Sequence, residues 1–268
     1  MVRDRAVRAV VTAALCFAPV VGAAGTAAAA DPSAATTAVV VSTDDRSLGL
    51  RGVANARDAG GYRTTDGHTV RTGLVFRSGD LSKATDADLA ALTARGLTVV
   101  DDLRTSFERA AAPDRVPVGA TLNHDDVIGQ APPQVLVSTL SAGADLYRAF
   151  ITAPGANEGF ASVLRDIAHA DGSVLFHCTA GKDRTGWTAA VLLTLLGVDR
   201  DTVTYDYLLS NHYRGAAEND ALNGVVPAAL DAAFDQVDRS YGSFDGYVRD
   251  GLRLTDADIA ALKAKLLA

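Results

Sequence analysis

Ser173-Val174-Leu175-Phe176-His177-Cys178-Thr179-Ala180-Gly181-Lys182-Asp183-Arg184-Thr185-Gly186-Trp187 is the stretch on which the reading of the fold turns. Val174, Leu175 and Phe176 form a short continuous apolar run, the pattern of a central parallel strand buried on both faces. Residues 187–196 are apolar nearly all round and end at Gly197, the pattern of a buried helix. Between strand and helix stands Cys-x5-Arg. Five residues let the loop curl until successive backbone N–H groups point inward and hold the oxygens of a phosphate. The helix N-terminus adds its partial positive charge at the same point. Ala180 and Gly181 are small where backbone must approach a ligand. Thr179, Ala180, Gly181, Lys182, Arg184 and Thr185 are therefore the candidate phosphate-binding residues.

The same loop activates a sulfur. Inward N–H groups, a helix N-terminus and Arg184 all favour an anion, so Cys178 is predicted to be a thiolate. Such a nucleophile needs no separate base. Arg184, planar and forked, can hold two equatorial phosphoryl oxygens and stabilise their charge in the transition state. Cys-x5-Arg alone is a weak signal; the strand before it, the small residues inside it and the buried helix after it make it specific.

Outward from this core, apolar runs at 74–76 and 97–100 read as strands with a helix between them. Thr85 is its predicted N-cap, Asp88 follows three residues later, Leu89 and Leu92 form its apolar face, and Gly96 ends it. Strand, helix, strand predicts a parallel pair joined by a right-handed crossover. Phe160, Val163, Leu164 and Ile167 recur at helical spacing. Everything after Asp199 reads as helical, over 201–213, 227–237 and a last helix capped at Thr255. The octapeptide 85–92 nearly recurs at 255–262, with Leu89 replaced by Ile259, but the flanks differ, so two similarly capped helices are predicted rather than a duplicated domain. The fold class is α/β: a central, mostly parallel sheet flanked by helices, with a helical C-terminal part.

The 268 residues, 48% hydrophobic and 21% charged, predict one globular domain over 48–268. Residues 1–30 read as a signal peptide: Arg3, Arg5 and Arg8, an apolar run too short for a membrane span, and small residues at Ala28, Ala29 and Ala30. Residues 31–47 read as a flexible leader. The protein is thus predicted to be secreted, released or held at the cell envelope, with no stable membrane insertion after cleavage. Loss of 1–30, with three Arg and one Asp, takes the formal charge from −7 to −9, which argues against nucleic acid as a partner. Of two cysteines, Cys16 goes with the signal, leaving Cys178 unable to form an internal disulfide.

His-Cys-x-x-Gly-Lys-Asp-Arg-Thr-Gly at 177–186 resembles the signature loop of the atypical secreted bacterial tyrosine/phosphoinositide phosphatases. Asn55-Ala56-Arg57-Asp58-Ala59-Gly60-Gly61-Tyr62, Asp102-Leu103-Arg104 and Tyr207-Leu208-x-Ser210-Asn211 resemble further segments of that family. The resemblance implies a phosphotyrosine-phosphatase-like fold and no metal or other cofactor. It implies hydrolysis of phosphotyrosine, and of phosphoserine, phosphothreonine and phosphoinositides, with phosphorylated proteins or phosphoinositides as partners.

Ordinary tyrosine phosphatases protonate the leaving oxygen with an Asp on a Trp-Pro-Asp loop, but the single Trp here is Trp187. The resemblance assigns the task to Asp183, with Asp125, Asp126 and Asp145 as alternatives by position along the chain. The catalytic set is thus Cys178, Asp183 and Arg184. His177, Asp58 and Asp102 are supporting candidates, and Arg57 and Arg104 are struts or ion-pair partners. Thr185 can donate to the sulfur or cap the helix. Lys182 can bring a second cation to the mouth of the site, where an inositol lipid offers a neighbouring phosphate; the alternative is that it neutralises Asp183 or faces solvent. The competing readings are a phospho-ligand binding module with a silent site, and other thiol chemistry such as arsenate reduction or sulfur transfer.

Overall fold

The computed structural model describes residues 46–131, 143–217, 220 and 222–268. The predicted signal peptide and all but the end of the predicted leader lie outside the described residues. Arg46 and Ser47 differ from the leader reading: the Arg46 guanidinium lies 3.6 Å over the Tyr62 ring, and Ser47 bridges to Arg57.

Among the described residues, five strands form one sheet: β1 (Arg57–Asp58), β2 (Val75–Ser78), β3 (Leu97–Asp102), β4 (Thr121–His124) and β5 (Ser173–His177). Their order is β1-β2-β5-β3-β4, parallel except for β1 on β2. The sequence reading expected β2 and β3 to pair with each other. They are parallel, but β5 lies between them. β5 has a continuous apolar run of three residues and is buried along its whole length, which suits the central position that both faces of the sheet cover. Val174 and Phe176 join one buried cluster and Leu175 the other. β1 and β4, two and four residues long, carry no apolar run and were not predicted.

Helix α1 (Asp86–Ala94) has the predicted capping box, Thr85 with Asp88. Then follow α2 (Ser106–Ala111), α3 (Ala144–Thr152), α4 (Ala156–His169), α5 (Arg184–Leu195), α6 (Arg200–Arg214), α7 (Pro227–Tyr241) and α8 (Asp256–Leu266). A short helical turn and a π turn (Tyr247–Gly251) join α7 to α8. α5 is buried at every position but Thr194, as its apolar periphery predicts. Thr255 and Asp258 repeat the capping box on α8, yet the two aspartates serve different neighbours. Asp88 accepts from the backbone N–H groups of Arg51 and Gly52, whereas Asp258 meets His169. The repeated octapeptide is therefore a repeated cap. No helix among the described residues is long and apolar enough to cross a membrane.

β2, β3 and β5 end flush: Ser78 pairs with His177, and His177 with Asp102. The Cys-x5-Arg loop leaves the sheet at that carboxyl edge, where open α/β sheets place their ligand sites.

Candidate active site

Residues 178–183 connect β5 to α5, and their carbonyls are drawn outward by donors from distant parts of the chain. Asp80 N–H donates to Thr179 O at 3.2 Å. Asn55 Nδ2 donates to Gly181 O at 2.7 Å and Ala180 O at 3.4 Å, Arg77 to Gly181 O at 3.2 Å, and Arg214 to Ala180 O at 3.1 Å. The N–H groups of Thr179, Ala180, Gly181, Asp183 and Arg184 donate to no backbone carbonyl among the described residues. Gly181 sits at φ +68°, and a Cβ there would lie 2.5 Å from Ser78 and Gly79 backbone atoms, so only glycine fits. Asn55, itself at φ +58°, carries its strain at the point where it clamps the loop.

Cys178 lies on the floor of the loop, a free thiol 2% exposed. Arg184 projects from the first turn of α5 and is gripped end-on by Glu108, Nη1 to Oε2 at 2.8 Å and Nη2 to Oε1 at 2.7 Å. Burial acts to lower the Arg184 pKa, but the hydrogen bonds to Glu108 outweigh it and raise it. Burial likewise pushes Glu108 upward, and Arg184 reverses this, holding the carboxyl far below the usual range. Glu108 also accepts from Thr179 Oγ1 at 2.6 Å and completes the capping box of α2 with Thr105. Sequence reading missed Glu108. Its signal was Thr-x-x-Glu directly after Asp102-Leu103-Arg104, which reads as a helix start and nothing more.

Asp183 is the N-cap residue of α5, without a side-chain capping bond. Its Oδ1 accepts from the Tyr147 hydroxyl at 2.8 Å, and its Oδ2 lies 3.8 Å from Lys182 Nζ. Burial raises the Asp183 pKa, against the opposing pull of Lys182, Tyr147, Arg184 and Arg214. Lys182 does not stand at the mouth: it is 5% exposed, with Nζ on Gly224 O at 2.8 Å. Of the two expected placements, the geometry favours the one beside Asp183 over the one at the mouth. Thr185 is not the cap either; it lies inside the first turn, its hydroxyl buried without a hydrogen-bond partner.

Behind the loop, His177 places Nδ1 3.2 Å from Cys178 O and Nε2 3.2 Å from Asp114 Oδ2, the latter without hydrogen-bond geometry. Arg104 bridges Asp102 (2.8 Å) and Asp114 (2.7 Å), so Asp102 and Arg104 are buried struts below His177. Arg57 and Arg77 share Asp206, and Arg57 also reaches Asn55 Oδ1. Burial and the neighbouring Arg77 lower the Arg57 pKa to about 10. Asp58 is not brought to the loop. It accepts from Gly60 and Gly73 N–H groups and closes the turn leading from β1 to β2, so its expected supporting role is not seen. Asp126 orders the backbone of Ile128 and Gly129, and Asp145 pairs with Arg148 in solvent.

Among the described residues, two groups have the donor types a cation takes. Asp102, Asp114 and His177 converge, but Arg104 already supplies their positive charge. Asp101, Asp125 and Asp166 also converge. Burial, then Asp125 and Asp166, raise Asp101 to about 9; burial chiefly raises Asp125 to about 6. A retained proton on Asp101 therefore meets the needs of that cluster.

A family model described as the tyrosine phosphatase family matches residues 48–268. A protein named as a tyrosine-protein phosphatase in Cupriavidus necator is 34% identical over 244 residues, spanning 81% of this chain and 86% of that one. The triple specificity protein phosphatase PtpB of Mycobacterium tuberculosis is 31% identical over 276 residues, spanning 81% of this chain and 98% of that one. Among solved structures, P. aeruginosa TpbA is similar at 17% identity and TM-score 0.37, over 70% of this chain and 91% of that chain.

Proposed function

The chain belongs to the tyrosine phosphatase family and is a phosphoric monoester hydrolase of that type; on that premise we propose that it works through a cysteinyl-phosphate on Cys178. The Cys178 thiolate attacks phosphorus, Arg184 clamps the equatorial oxygens, and Asp183 protonates the leaving oxygen. The resulting Asp183 carboxylate then takes a proton from the water that displaces the sulfur. The observation that carries this reading is the loop itself: the carbonyls of Thr179, Ala180 and Gly181 are tied to donors outside the loop, and Arg184 is fixed at its end. Glu108 grips Arg184 through Nη1 and Nη2, which leaves the Nε side of the guanidinium for phosphoryl oxygens. The orphaned Thr185 hydroxyl is available to the sulfur as it leaves. The raised pKa of Asp183 keeps its acid form to higher pH than an ordinary carboxyl.

The test is turnover of an aryl phosphate in the presence of a chelator. Wild type turns over and Cys178→Ser and Arg184→Ala do not; a serine variant keeping more than a few per cent of the rate would rule out the cysteinyl-phosphate.

The proposed substrates are phosphotyrosine, phosphoserine or phosphothreonine, and phosphoinositides. What supports the breadth is the sequence resemblance and the relative named for triple specificity. For Lys182 to touch a second phosphate it would have to leave Gly224 O. Lys182→Ala separates the cases: a selective loss of about tenfold on an inositol phosphate means a lipid contact, and equal loss on both substrates means a role at Asp183. We further propose export after cleavage before Asp31, supported by the composition of residues 1–30. N-terminal sequencing of the culture-supernatant protein decides it.

A further inference from the structure

Asp183 is backed by two buried hydroxyls that the steps above do not use. Tyr147 of α3 is fully buried and donates to Asp183 Oδ1 at 2.8 Å, and the Tyr207 hydroxyl of α6 lies 2.5 Å from that of Tyr147. Both rings belong to the larger apolar cluster, edge to face at 6.0 Å. A buried hydroxyl weakens a fold unless it is hydrogen-bonded. Among the described residues these two bond only to each other and to Asp183, so phenylalanine would serve the packing at either position. Gly186 makes room for the arrangement, since a Cβ there would lie 3.0 and 3.1 Å from Tyr207 ring atoms.

Proton counting gives the chain a direction. Each tyrosine has one proton to donate. With that of Tyr147 on Asp183 Oδ1, the Tyr147 oxygen accepts from Tyr207. Oδ1 is then the carbonyl oxygen of the neutral acid, and the acid proton resides on Oδ2.

We propose that Tyr147, backed by Tyr207, is a positioning residue that commits Oδ1 of Asp183 as an acceptor and so presents the transferable proton on Oδ2. The proposal rests on the reading of Asp183 as the general acid. In the first step the Cys178 sulfur bonds to phosphorus while the phosphorus–oxygen bond to the leaving group and the Oδ2–H bond break together. The leaving oxygen keeps the electron pair of the broken bond and takes the proton, and Tyr147 stabilises the carboxylate left behind. In the second step a water oxygen bonds to phosphorus, its proton goes to Oδ2, and the sulfur–phosphorus bond breaks to restore the thiolate.

The experiment measures kcat/KM along aryl phosphates of decreasing leaving-group acidity, from p-nitrophenyl to phenyl phosphate, for wild type, Asp183→Asn, Tyr147→Phe and Tyr207→Phe. A poor leaving group depends on protonation, and a general acid contributes about 10²–10⁴-fold. Tyr147→Phe should lose about tenfold more on phenyl than on p-nitrophenyl phosphate, with Tyr207→Phe less in the same direction. Thermal midpoints identify folded variants; should Tyr147→Phe not fold, Tyr207→Phe carries the same comparison. Equal losses along the series for the tyrosine variants, beside a steep dependence for Asp183→Asn, would overturn the positioning role and leave the general acid standing. A flat series for Asp183→Asn itself would overturn both.

Discussion

Glu108→Gln should cripple the enzyme without unfolding it. Glu108 holds both terminal nitrogens of Arg184 at 2.7 and 2.8 Å, and the two side chains are 27% and 10% exposed. A solvent-exposed ion pair contributes about 0–1 kcal/mol, and breaking a buried one by removing a partner costs about 3–5 kcal/mol. This half-shielded, two-point contact falls between, at about 1–3 kcal/mol, which is roughly 5- to 150-fold in kcat/KM if the loss falls on the transition state. Glutamine keeps one acceptor oxygen but turns an amide NH2 toward a second N–H donor. Because Glu108 also caps α2, Thr105→Ala serves as the control: it should cost about 1 kcal/mol of stability while leaving the Arg184 grip intact. The assay is kcat/KM on an aryl phosphate beside thermal midpoints with and without an oxyanion. In Glu108→Gln the oxyanion should raise the midpoint more than in wild type, since it supplies the charge that Arg184 has lost. A Glu108→Gln enzyme within twofold of wild type, or one matched in activity by Thr105→Ala, would refute the reasoning.

Gly181→Ala should abolish activity and destabilise the fold by about 2–5 kcal/mol, because left-handed backbone and a 2.5 Å approach to Ser78 and Gly79 backbone act together; an active variant of unchanged midpoint would contradict this. Asp101→Asn should stabilise at high pH. The folded state retains a proton to about pH 9 that the unfolded chain sheds near 4, so wild-type stability falls as pH rises between those values, by up to about 1.4 kcal/mol per unit. Thermal midpoints should converge below pH 4 and separate toward pH 8, and parallel curves would assign the proton elsewhere. Peroxide should inactivate through Cys178, whose 2% exposure obliges the oxidant to enter the loop, so bound phosphate should protect. Equal inactivation with and without phosphate would locate the damage outside the site.

Much of this site was legible because its signals are contiguous. β5, the loop and α5 follow one another in the chain, and each has a distinct pattern of apolar run, small residues and all-round burial. What escaped depends on long-range pairing. Tyr147 lies 36 positions before Asp183 on a helix whose apolar residues give no hint that one ring carries a working hydroxyl. Asp206 and Arg77 meet across 129 positions, each an ordinary charged residue locally. Asp58 shows the converse error: it belongs to a recognisable segment, but its carboxyl turns to Gly60 and Gly73, while Asn55 and Arg57 of the same segment face the site. Strand order failed where adjacency in sequence was taken for adjacency in space.

The clamps on the loop carbonyls come from Asn55, Arg77, Asp80 and Arg214, four sites spread over 160 positions of the chain. No fragment containing Cys178 and Arg184 alone can hold the loop in shape. Turnover is therefore a reporter of the assembled domain. Loss of activity on heating should coincide with cooperative unfolding, and a chain that has collapsed without docking its N-terminal segment and α6 should bind no oxyanion and cleave nothing.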